Sequence, residues 1–298
     1  MYFLLRRKLI MNDIALIGHI SRDIIIDVRS REVRAVGGAV MYAQATLSKS
    51  GTEFTVISKL PKDETELREK LLASGVNWKI GKSSNMTSIK NVYLSEDKEI
   101  REVTLISKAD SFILSDIESE IADIYYFAGL FYGEIPDSMI EPLSKKGKIA
   151  LDAQGVLRAS TEDGDIIFRD WDKKKELMPL ITYLKVDAAE AEVLTSMKDR
   201  ERAIRALSDM GAREVMLTHN KEVMLFDGKT LYRESYTNKN SSGRTGRGDT
   251  TFSSYLAWRK NHGIEESLRY CTALCSIKME SPGVFNGSVE DVLKRMRS

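Results

Sequence analysis

Apolar runs alternate with amphipathic stretches along most of the chain. Short apolar runs, such as the one at 13–18, are typical of strands that are buried on both faces. We predict strands at 13–18, 53–58, 124–128, 148–152, 183–186, 214–218 and 222–226, and helices at 40–47, 62–74, 136–146, 188–197, 200–211, 249–262 and 264–279. This order of elements predicts a three-layer α/β fold, with a sheet between two layers of helices.

Two early segments lie outside this alternation. Residues 24–36 and 88–107 have strand character, and 88–107 shows the pattern of a hairpin with its turn near 95–98. We therefore expect these inserted strands to form a small separate sheet. The rest of 11–298 is predicted to be one domain, and 1–10 a tail.

The composition excludes several classes of protein. The 298 residues include 45 Lys and Arg against 44 Asp and Glu, so the net charge of +1 provides no electrostatic basis for binding nucleic acid. No apolar run is long enough to span a membrane, and we expect no membrane partner. Two cysteines form no disulfide framework, which favours the reducing cytoplasm.

A glycine-rich loop leads directly into a predicted long helix. Gly243, Gly246 and Gly248 allow the backbone to approach a ligand closely, and the free N–H groups of a helix N-terminus attract phosphate. Asp249 follows in the first turn, where its carboxylate can take a proton from a hydroxyl group. The same position suits a helix-capping carboxylate, so the loop alone leaves both roles open.

Two carboxylates occupy the start of the helix predicted after the strand at 183–186. Asp187 and Glu190 are three positions apart and share a helix face, so both can point to one place. Near a phosphate site they would hold Mg²⁺, with Glu190 reaching it through water, because Mg²⁺ retains most of its hydration shell. The helix dipole alone also favours carboxylates here, and both interpretations stay open.

Loops after the early strands contain a second set of candidates. Asp23, five positions after Gly18, can accept hydrogen bonds from sugar hydroxyls, although a solvated turn aspartate has the same pattern. Gly37 and Gly38 allow close approach to a ligand or form a tight turn. The chain contains no P-loop and no G-x-G-x-x-G loop, which argues against a P-loop NTPase and a Rossmann dehydrogenase.

In their order, these motifs resemble those of the ribokinase-like, or PfkB, family of carbohydrate kinases. The resemblance runs from Asp13 to Gly283. The matching elements are G-x-x-x-x-D at 18–23, Gly-Gly at 37–38, an N-x-x-E-like stretch at 187–190, a T-x-G-like turn at 218–220, the D-T-x-G-A-G-D signature at 243–249 and Pro-Gly at 282–283. Each motif is weak alone, but their order and spacing together are specific.

The resemblance implies an ATP-dependent kinase that phosphorylates a hydroxyl of a small sugar or cyclitol. Asp249 would be the base, and the amides of Gly246, Arg247 and Gly248 would form the anion hole for the transferred phosphoryl group. Glu190 would help to organise Mg²⁺. The inserted sheet would be a lid that closes over the substrate, and its strands would pair in a homodimer.

The resemblance also implies binding roles for further positions. The nucleotide would be bordered by Asp187, Glu190, Thr218, Asn220 and Arg244. The substrate would be held by Asp23, Gly37, Gly38, Tyr42, Gln154 and Arg158. The pattern around Tyr42, Gln154 and Arg158 looks more like the inositol-kinase branch, although Tyr42 also suits core packing.

The signature departs from the family pattern in ways that affect the mechanism. Gly243 and Arg244 stand where the family has Asp-Thr, in a region associated with a monovalent cation, which puts a potassium requirement in doubt. We hypothesise that Arg244 or Arg247 supplies a positive charge in place of the ion. Asn220 replaces a glycine and is expected to tolerate a positive φ. The alternative functions are a nucleoside kinase and a ligand-binding regulator with little turnover.

Overall fold

The computed structural model describes residues 12–95 and 101–297. The predicted tail at 1–10 and most of the predicted turn at 95–98 lie outside the described residues. The strands of the described part are β1 (Asn12–Ile17), β2 (Ser21–Ile26), β3 (Glu32–Gly37), β4 (Phe54–Leu60), β5 (Asn77–Lys82), β6 (Thr87–Tyr93), β7 (Arg101–Ser107), β8 (Ala122–Phe127), β9 (Lys148–Asp152), β10 (Arg158–Ser160), β11 (Ile166–Phe168), β12 (Ile181–Asp187), β13 (Glu214–Thr218), β14 (Glu222–Phe226) and β15 (Leu231–Ser235).

The helices of the same part include two long ones near the C-terminus. In chain order they are α1 (Ala39–Leu47), α2 (Thr65–Leu72), α3 (Ile140–Ser144), α4 (Gln154–Leu157), α5 (Lys174–Leu177), α6 (Ala188–Thr195), α7 (Arg200–Asp209), α8 (Arg247–Arg259), α9 (Ile264–Met279) and α10 (Val289–Arg297). Short 3₁₀ turns lie at Leu114–Asp116, Asp137–Met139 and Met178–Leu180.

Nine strands form one central sheet, in the order β15-β14-β13-β12-β9-β8-β1-β4-β5. The seven strands from β13 to β5 in this order are parallel to one another. At the other edge, β14 is antiparallel to both of its neighbours, β13 and β15. Parallel strands end at the same side of the sheet, which is where ligands bind in such folds. Asp152, Asp187 and Thr218 are the last residues of β9, β12 and β13, so they lie together on that side.

Alternate side chains of the central strands face two separate layers of helices. Ile14 and Leu16 pack in a cluster with residues of α1, α8 and α9, whereas Ala15 and Ile17 pack in a cluster with residues of α3, α6 and α7. Burial on both faces explains why these strands are continuous apolar runs in the sequence. The predicted three-layer α/β fold is confirmed.

The two early segments form a second, four-stranded sheet in the order β3-β2-β6-β7. β2 pairs in parallel with β6, and each pairs antiparallel with its outer neighbour. Three residues join β1 to β2, and β3 leads directly into α1, which keeps this sheet beside the carboxyl end of the central strands. The N–H of Leu105 on β7 donates to the carbonyl of Gly164 at 2.8 Å, between the short strands β10 and β11.

Several elements differ from the sequence predictions for physical reasons. The pattern gave no indication of β5 and β15, which are edge strands and carry few buried apolar residues. The predicted helix at 136–146 is a 3₁₀ turn followed by the short α3. Pro142 lacks an N–H and is tolerated only in a first helical turn, so α3 begins at Ile140.

A buried carboxylate joins the second sheet to the central one. Oε2 of Glu134 accepts hydrogen bonds from the N–H groups of Leu130 at 2.8 Å and Phe131 at 3.3 Å. Its Oε1 accepts a hydrogen bond from the hydroxyl of Thr87 at 3.2 Å, in the first residue of β6. Burial raises the pKa of Glu134 to about 7, because the surroundings disfavour the charged form.

Replacing Glu134 by Gln is expected to change how stability depends on pH. The pKa of about 7 in the folded protein exceeds the ordinary value of 4.5, so folding takes up a proton between these values and stability is lost as pH rises. Relative to Glu134→Gln, the free energy of unfolding of the wild type should fall by roughly 3 kcal/mol between about pH 4.5 and 7.5. Urea unfolding of both proteins measures this difference, and a difference that does not change with pH would contradict a raised pKa.

Candidate active site

The glycine-rich loop ends in a left-handed glycine that starts α8. Gly246 has φ +77° and is the residue before the helix, which begins at Arg247, two residues earlier than predicted. Asp249 is therefore the third helical residue and not the cap. The capping role that the sequence left open for Asp249 is wrong.

Tyr42 makes a glycine necessary at position 246. A Cβ atom on Gly246 would lie 2.2 Å from Cδ1 of the Tyr42 ring, in addition to the strain of a positive φ. A Cβ atom on Gly248 would lie 3.2 Å from Nζ of Lys185, so this ammonium group reaches the first turn of α8. The loop thus packs between an aromatic ring from α1 and a lysine from β12.

Two cavities meet at the start of α8. The larger, of about 410 Å³, is lined by Tyr93, Gln154, Lys185, Asp187, Thr218, Ser241, Ser242, Arg244, Thr245, Gly246, Arg247, Gly248 and Asp249. The smaller, of about 150 Å³, is lined by Ser21, Asp23, Ile25, Gly38, Ala39, Tyr42, Ile89, Asn91, Tyr93, Leu130, Gln154, Arg158, Thr245, Gly246 and Asp249. Asp249 and Gly246 line both.

Most of the predicted site residues lie on these walls. The residues expected to border the donor (Asp187, Thr218 and Arg244) line the larger cavity, and those expected to hold the substrate (Asp23, Gly38, Tyr42, Gln154 and Arg158) line the smaller one. Three predicted residues line neither cavity: Gly37, Glu190 and Asn220. Their contacts show what each of them does instead.

Gly37 makes room for a predicted substrate ligand. A Cβ atom there would lie 2.7 Å from Oδ2 of Asp23 and 3.1 Å from Oγ of Ser21. The hydroxyl of Ser21 in turn donates to Oδ1 of Asp23 at 2.7 Å. The glycine therefore permits the position of the Asp23 carboxylate without lining the cavity.

Glu190 is buried behind the wall of the larger cavity. Its Oε2 accepts a hydrogen bond from the N–H of Asp187 at 2.7 Å, and the Asp187 carboxylate accepts one from the N–H of Glu190 at 2.8 Å. This reciprocal pair caps α6. Burial raises the pKa of Glu190, and the ammonium group of Lys185, 3.6 Å away, opposes the shift.

Asn220 holds two arginine side chains. Its Oδ1 accepts hydrogen bonds from Nη2 of Arg244 and Nη1 of Arg247, both at 3.1 Å. The left-handed conformation expected at Asn220 is wrong, because Ser30 and Ser196 are the non-glycine residues with positive φ in the described part of the chain.

Asp249 carries an unusual carboxylate. Burial raises its pKa to about 6, the carboxylate of Asp152 adds to the shift, and the ammonium groups of Lys185 and Lys278 oppose it. A carboxylate with a pKa near 6 is still ionised at neutral pH and is a stronger base than a solvated aspartate. Asp249 is therefore suited to accept a proton from a hydroxyl group.

The sequence predictions missed Lys185. Its Nζ donates to Oδ1 of Asp152 at 3.0 Å. Burial would lower the pKa of Lys185, but the carboxylates of Asp152 and Glu190 outweigh burial and raise it, so the group is charged. The available signal was a lysine inside a strand of otherwise apolar residues, which is unusual unless the charge is paired.

Two further residues near the loop were not predicted. Asn91 projects from β6 into the smaller cavity and is 7% exposed. Lys278, near the end of α9, donates through Nζ to the carbonyl oxygens of Gly243 and Thr245. Long-range contacts of this kind leave no local pattern in the sequence.

Within residues 12–95 and 101–297, no group of three or more His, Cys, Asp or Glu side chains is arranged to hold a metal ion. The carboxylates on the wall of the larger cavity are those of Asp187 and Asp249. No helix in the same ranges is both long and apolar enough to span a membrane.

A basic group placed between a sugar-sized cavity and a cavity lined with phosphate-binding groups is the arrangement of an enzyme that phosphorylates an alcohol. The sequence matches the family described as pfkB family carbohydrate kinase over residues 11–291. The chain belongs to this family. It is a sugar or cyclitol kinase, a phosphotransferase with an alcohol group as acceptor.

Solved structures agree with this assignment. A pyrophosphate-dependent kinase of the ribokinase family, complexed with a pyrophosphate analog and myo-inositol, is 33% identical with a TM-score of 0.86, covering 94% of this chain and 99% of that chain. A pyrophosphate-dependent myo-inositol-1 kinase converted into a myo-inositol-3 kinase by two substitutions is 32% identical with a TM-score of 0.84, covering 95% and 98%.

More distant structures share the fold. The ribokinase of Arabidopsis thaliana, complexed with ribose and ATP, is 18% identical with a TM-score of 0.76, covering 97% of this chain and 99% of that chain. Among curated proteins, none matches the chain significantly.

The close packing at Gly246 generates the first prediction for the site. Gly246→Ala should lower kcat by about 100-fold, because the added methyl group displaces the loop from the Tyr42 ring and moves its amides. Gly75→Ala is the matched control, since φ there is +79° and a Cβ atom meets nothing within 4 Å. Steady-state kinetics measure kcat of both variants. Equal losses of kcat at the two positions would contradict a specific role for the packing at Gly246.

The raised pKa of Asp249 predicts the acid limb of the pH–rate profile. Since the base must be ionised, kcat/KM should fall about tenfold per pH unit below about pH 6. Asp152→Asn should move the inflection to lower pH, because it removes a neighbouring negative charge. Profiles of kcat/KM for both proteins measure the shift, and an inflection that stays in place or rises would argue against Asp249 as the titrating group.

Proposed function

We propose that this kinase transfers a phosphoryl group from pyrophosphate to a hydroxyl of a cyclitol of the myo-inositol type. The observation that carries the proposal is that Asp249 lines both cavities. An acceptor hydroxyl in the smaller cavity and a donor phosphate in the larger one would meet at its carboxylate.

The lining of the larger cavity supports a small anionic donor. Its cationic side chains are Lys185, Arg244 and Arg247, and its walls otherwise carry hydroxyl, carboxylate, amide and backbone groups. Tyr93 is the aromatic residue among the described lining residues, and no aliphatic side chain lies there to pack against a purine ring. A purine ring is usually bound by apolar or aromatic side chains, whereas the cationic and polar groups of this cavity suit phosphate oxygens.

The smaller cavity supports a compact acceptor that carries many hydroxyl groups. Asp23, Asn91, Gln154 and Arg158 are spread over its wall and supply both hydrogen-bond donors and acceptors. myo-Inositol has a hydroxyl on every ring carbon and would use polar partners on all sides. Two solved relatives that are at least 32% identical act on or bind myo-inositol by description.

The reaction would proceed by direct in-line transfer. Asp249 takes the proton of the acceptor hydroxyl while the oxygen of that hydroxyl bonds to the near phosphorus of the donor. The bond from that phosphorus to the bridging oxygen breaks, which releases orthophosphate. The N–H groups of Gly246 and Gly248 would face the charge that develops on the transferred group. The N–H of Arg247, predicted for the same role, instead donates to the carbonyl of Arg244 at 3.2 Å. Lys185 adds a positive charge on the β12 side.

Mg²⁺ would be carried mainly by the phosphate oxygens of the donor. Mg²⁺ sites in phosphotransferases use one or two carboxylates plus substrate phosphates, and Asp187 is the carboxylate on the donor side of the cavity. The metal would neutralise phosphate charge during transfer. Binding of Mg²⁺ by Glu190 through water, a homodimer through the second sheet and a cytoplasmic location stay predictions.

ATP is the donor expected from the family resemblance. The first experiment therefore compares ATP with pyrophosphate as the phosphoryl donor. Pyrophosphate and ATP, each with Mg²⁺, are tested with myo-inositol, ribose, fructose, adenosine and cytidine, and products are followed by ³¹P NMR. Transfer from pyrophosphate to myo-inositol is expected. Asp249→Asn should lower the rate by about 10³-fold, and the exposed Asp209→Asn should not.

Other outcomes contradict defined parts of the proposal. Transfer from ATP but not from pyrophosphate would overturn the donor, and transfer to adenosine or cytidine would overturn the acceptor in favour of a nucleoside kinase. Ligand binding without transfer to any acceptor would favour the regulator. A rate that Asp249→Asn leaves unchanged would remove Asp249 as the base.

A further inference from the structure

Lys278 is a buried lysine without an ion-pair partner among the described residues, and the more distant carboxylate of Asp249 raises its pKa less than burial lowers it. The residue is 2% exposed and lies in the last turn of α9. Over the described ranges, no Asp or Glu oxygen lies within ion-pair distance of its Nζ. Burial lowers its pKa to about 8, so most of the groups are still charged at neutral pH. A charge kept in such a place needs other strong partners.

Its partners are backbone carbonyl groups of the glycine-rich loop. The ammonium group donates to the carbonyl oxygens of Gly243 and Thr245, and it lies 5.0 Å from the centre of the Tyr42 ring. A lysine in a last helical turn commonly serves the carbonyl groups of its own helix. Lys278 instead reaches across to the loop before α8.

The direction of one carbonyl group determines the direction of the next amide. The peptide unit is planar and trans, so the carbonyl of Thr245 and the N–H of Gly246 point in opposite directions. With the carbonyl of Thr245 turned to Lys278, the N–H of Gly246 is directed away from the ammonium group. Gly246 lines both cavities, so the ammonium group governs whether this amide faces a phosphate there.

We propose that Lys278 is a positioning residue for phosphoryl transfer: its ammonium group is a built-in cation that orients the Thr245–Gly246 peptide so that the amide points to the transferred phosphoryl group. The inference rests on the proposed function. Lys278 would supply, from behind the loop, the positive charge that the sequence analysis assigned to Arg244 or Arg247. Those two arginines lie on the cavity wall, where Asn220 holds them.

The test is chemical rescue of a truncated side chain. Lys278→Ala should lower kcat by about 100-fold with a much smaller change in the KM for the acceptor, because a displaced amide affects the transition state more than substrate binding. Ammonium, methylammonium or potassium ions, added at constant ionic strength, should raise kcat of this variant at least about tenfold, because they occupy the place of the missing ammonium group. Tetramethylammonium should not, because its four methyl groups keep the positive charge away from the carbonyl oxygens.

Controls separate this role from a structural one. The wild type and the exposed Lys294→Ala should show the same rate in ammonium, potassium and tetramethylammonium salts. Lys278→Arg keeps the charge and should retain more activity than Lys278→Ala without responding to added cations. Thermal unfolding of each variant shows whether it is folded.

The outcomes distinguish failure of the positioning role from failure of the proposed function. A folded Lys278→Ala with a near-normal kcat, or with a lost kcat that no cation restores, overturns the positioning role. A wild type that needs added potassium also overturns it, and this arm needs no variant to fold. If the wild type transfers no phosphate from either donor, the proposed function fails, and that result is seen before any variant is made.

Discussion

The cost of burying charge at the start of α8 is the constraint on which the site depends. Asp249 is partly buried between the two cavities, and a desolvated carboxylate with no positive charge nearby would be protonated and useless as a base. Lys185 and Lys278 supply positive charge from β12 and α9, while Asp152 holds Lys185 in turn. The balance leaves the pKa of Asp249 high enough for a good base and low enough for ionisation at neutral pH.

This balance requires elements that are far apart in the sequence. The ammonium groups come from β12 and α9, the carboxylate of Asp152 ends β9, and the loop itself packs on Tyr42 of α1. The parallel central sheet brings the strand ends to one side, and α8 begins beside them. A shift of any of these elements would leave a charge unpaired.

The second sheet completes the smaller cavity and is joined to the main body by polar contacts. Ser21, Asp23, Asn91 and Tyr93 are the polar residues of this sheet that line the cavity, and Glu134 links β6 to the loop after β8. Apolar side chains of the same sheet, among them Ile89 and Leu105, also pack in the cluster that contains residues of α1 and α8. An acceptor in the smaller cavity would therefore contact groups from both sheets, with Asp249 on the α8 side.

Much of the site was predictable from the sequence because its chemistry is local. The order of apolar runs predicted the three-layer fold, and the glycine-rich loop predicted the start of α8 to within two residues. The role of Asp249 as the base stays a prediction. The sequence did not determine the roles of Lys185 and Lys278, which depend on contacts between β9, β12, α6, α9 and the loop. Glu190 looked like a metal ligand by spacing, and only the structure shows its carboxylate turned to the N–H of Asp187 and to Lys185. Spacing along the chain determines which side chains lie on the same face of a helix. The burial and charge pairing of each side chain are decided by the elements that pack around it.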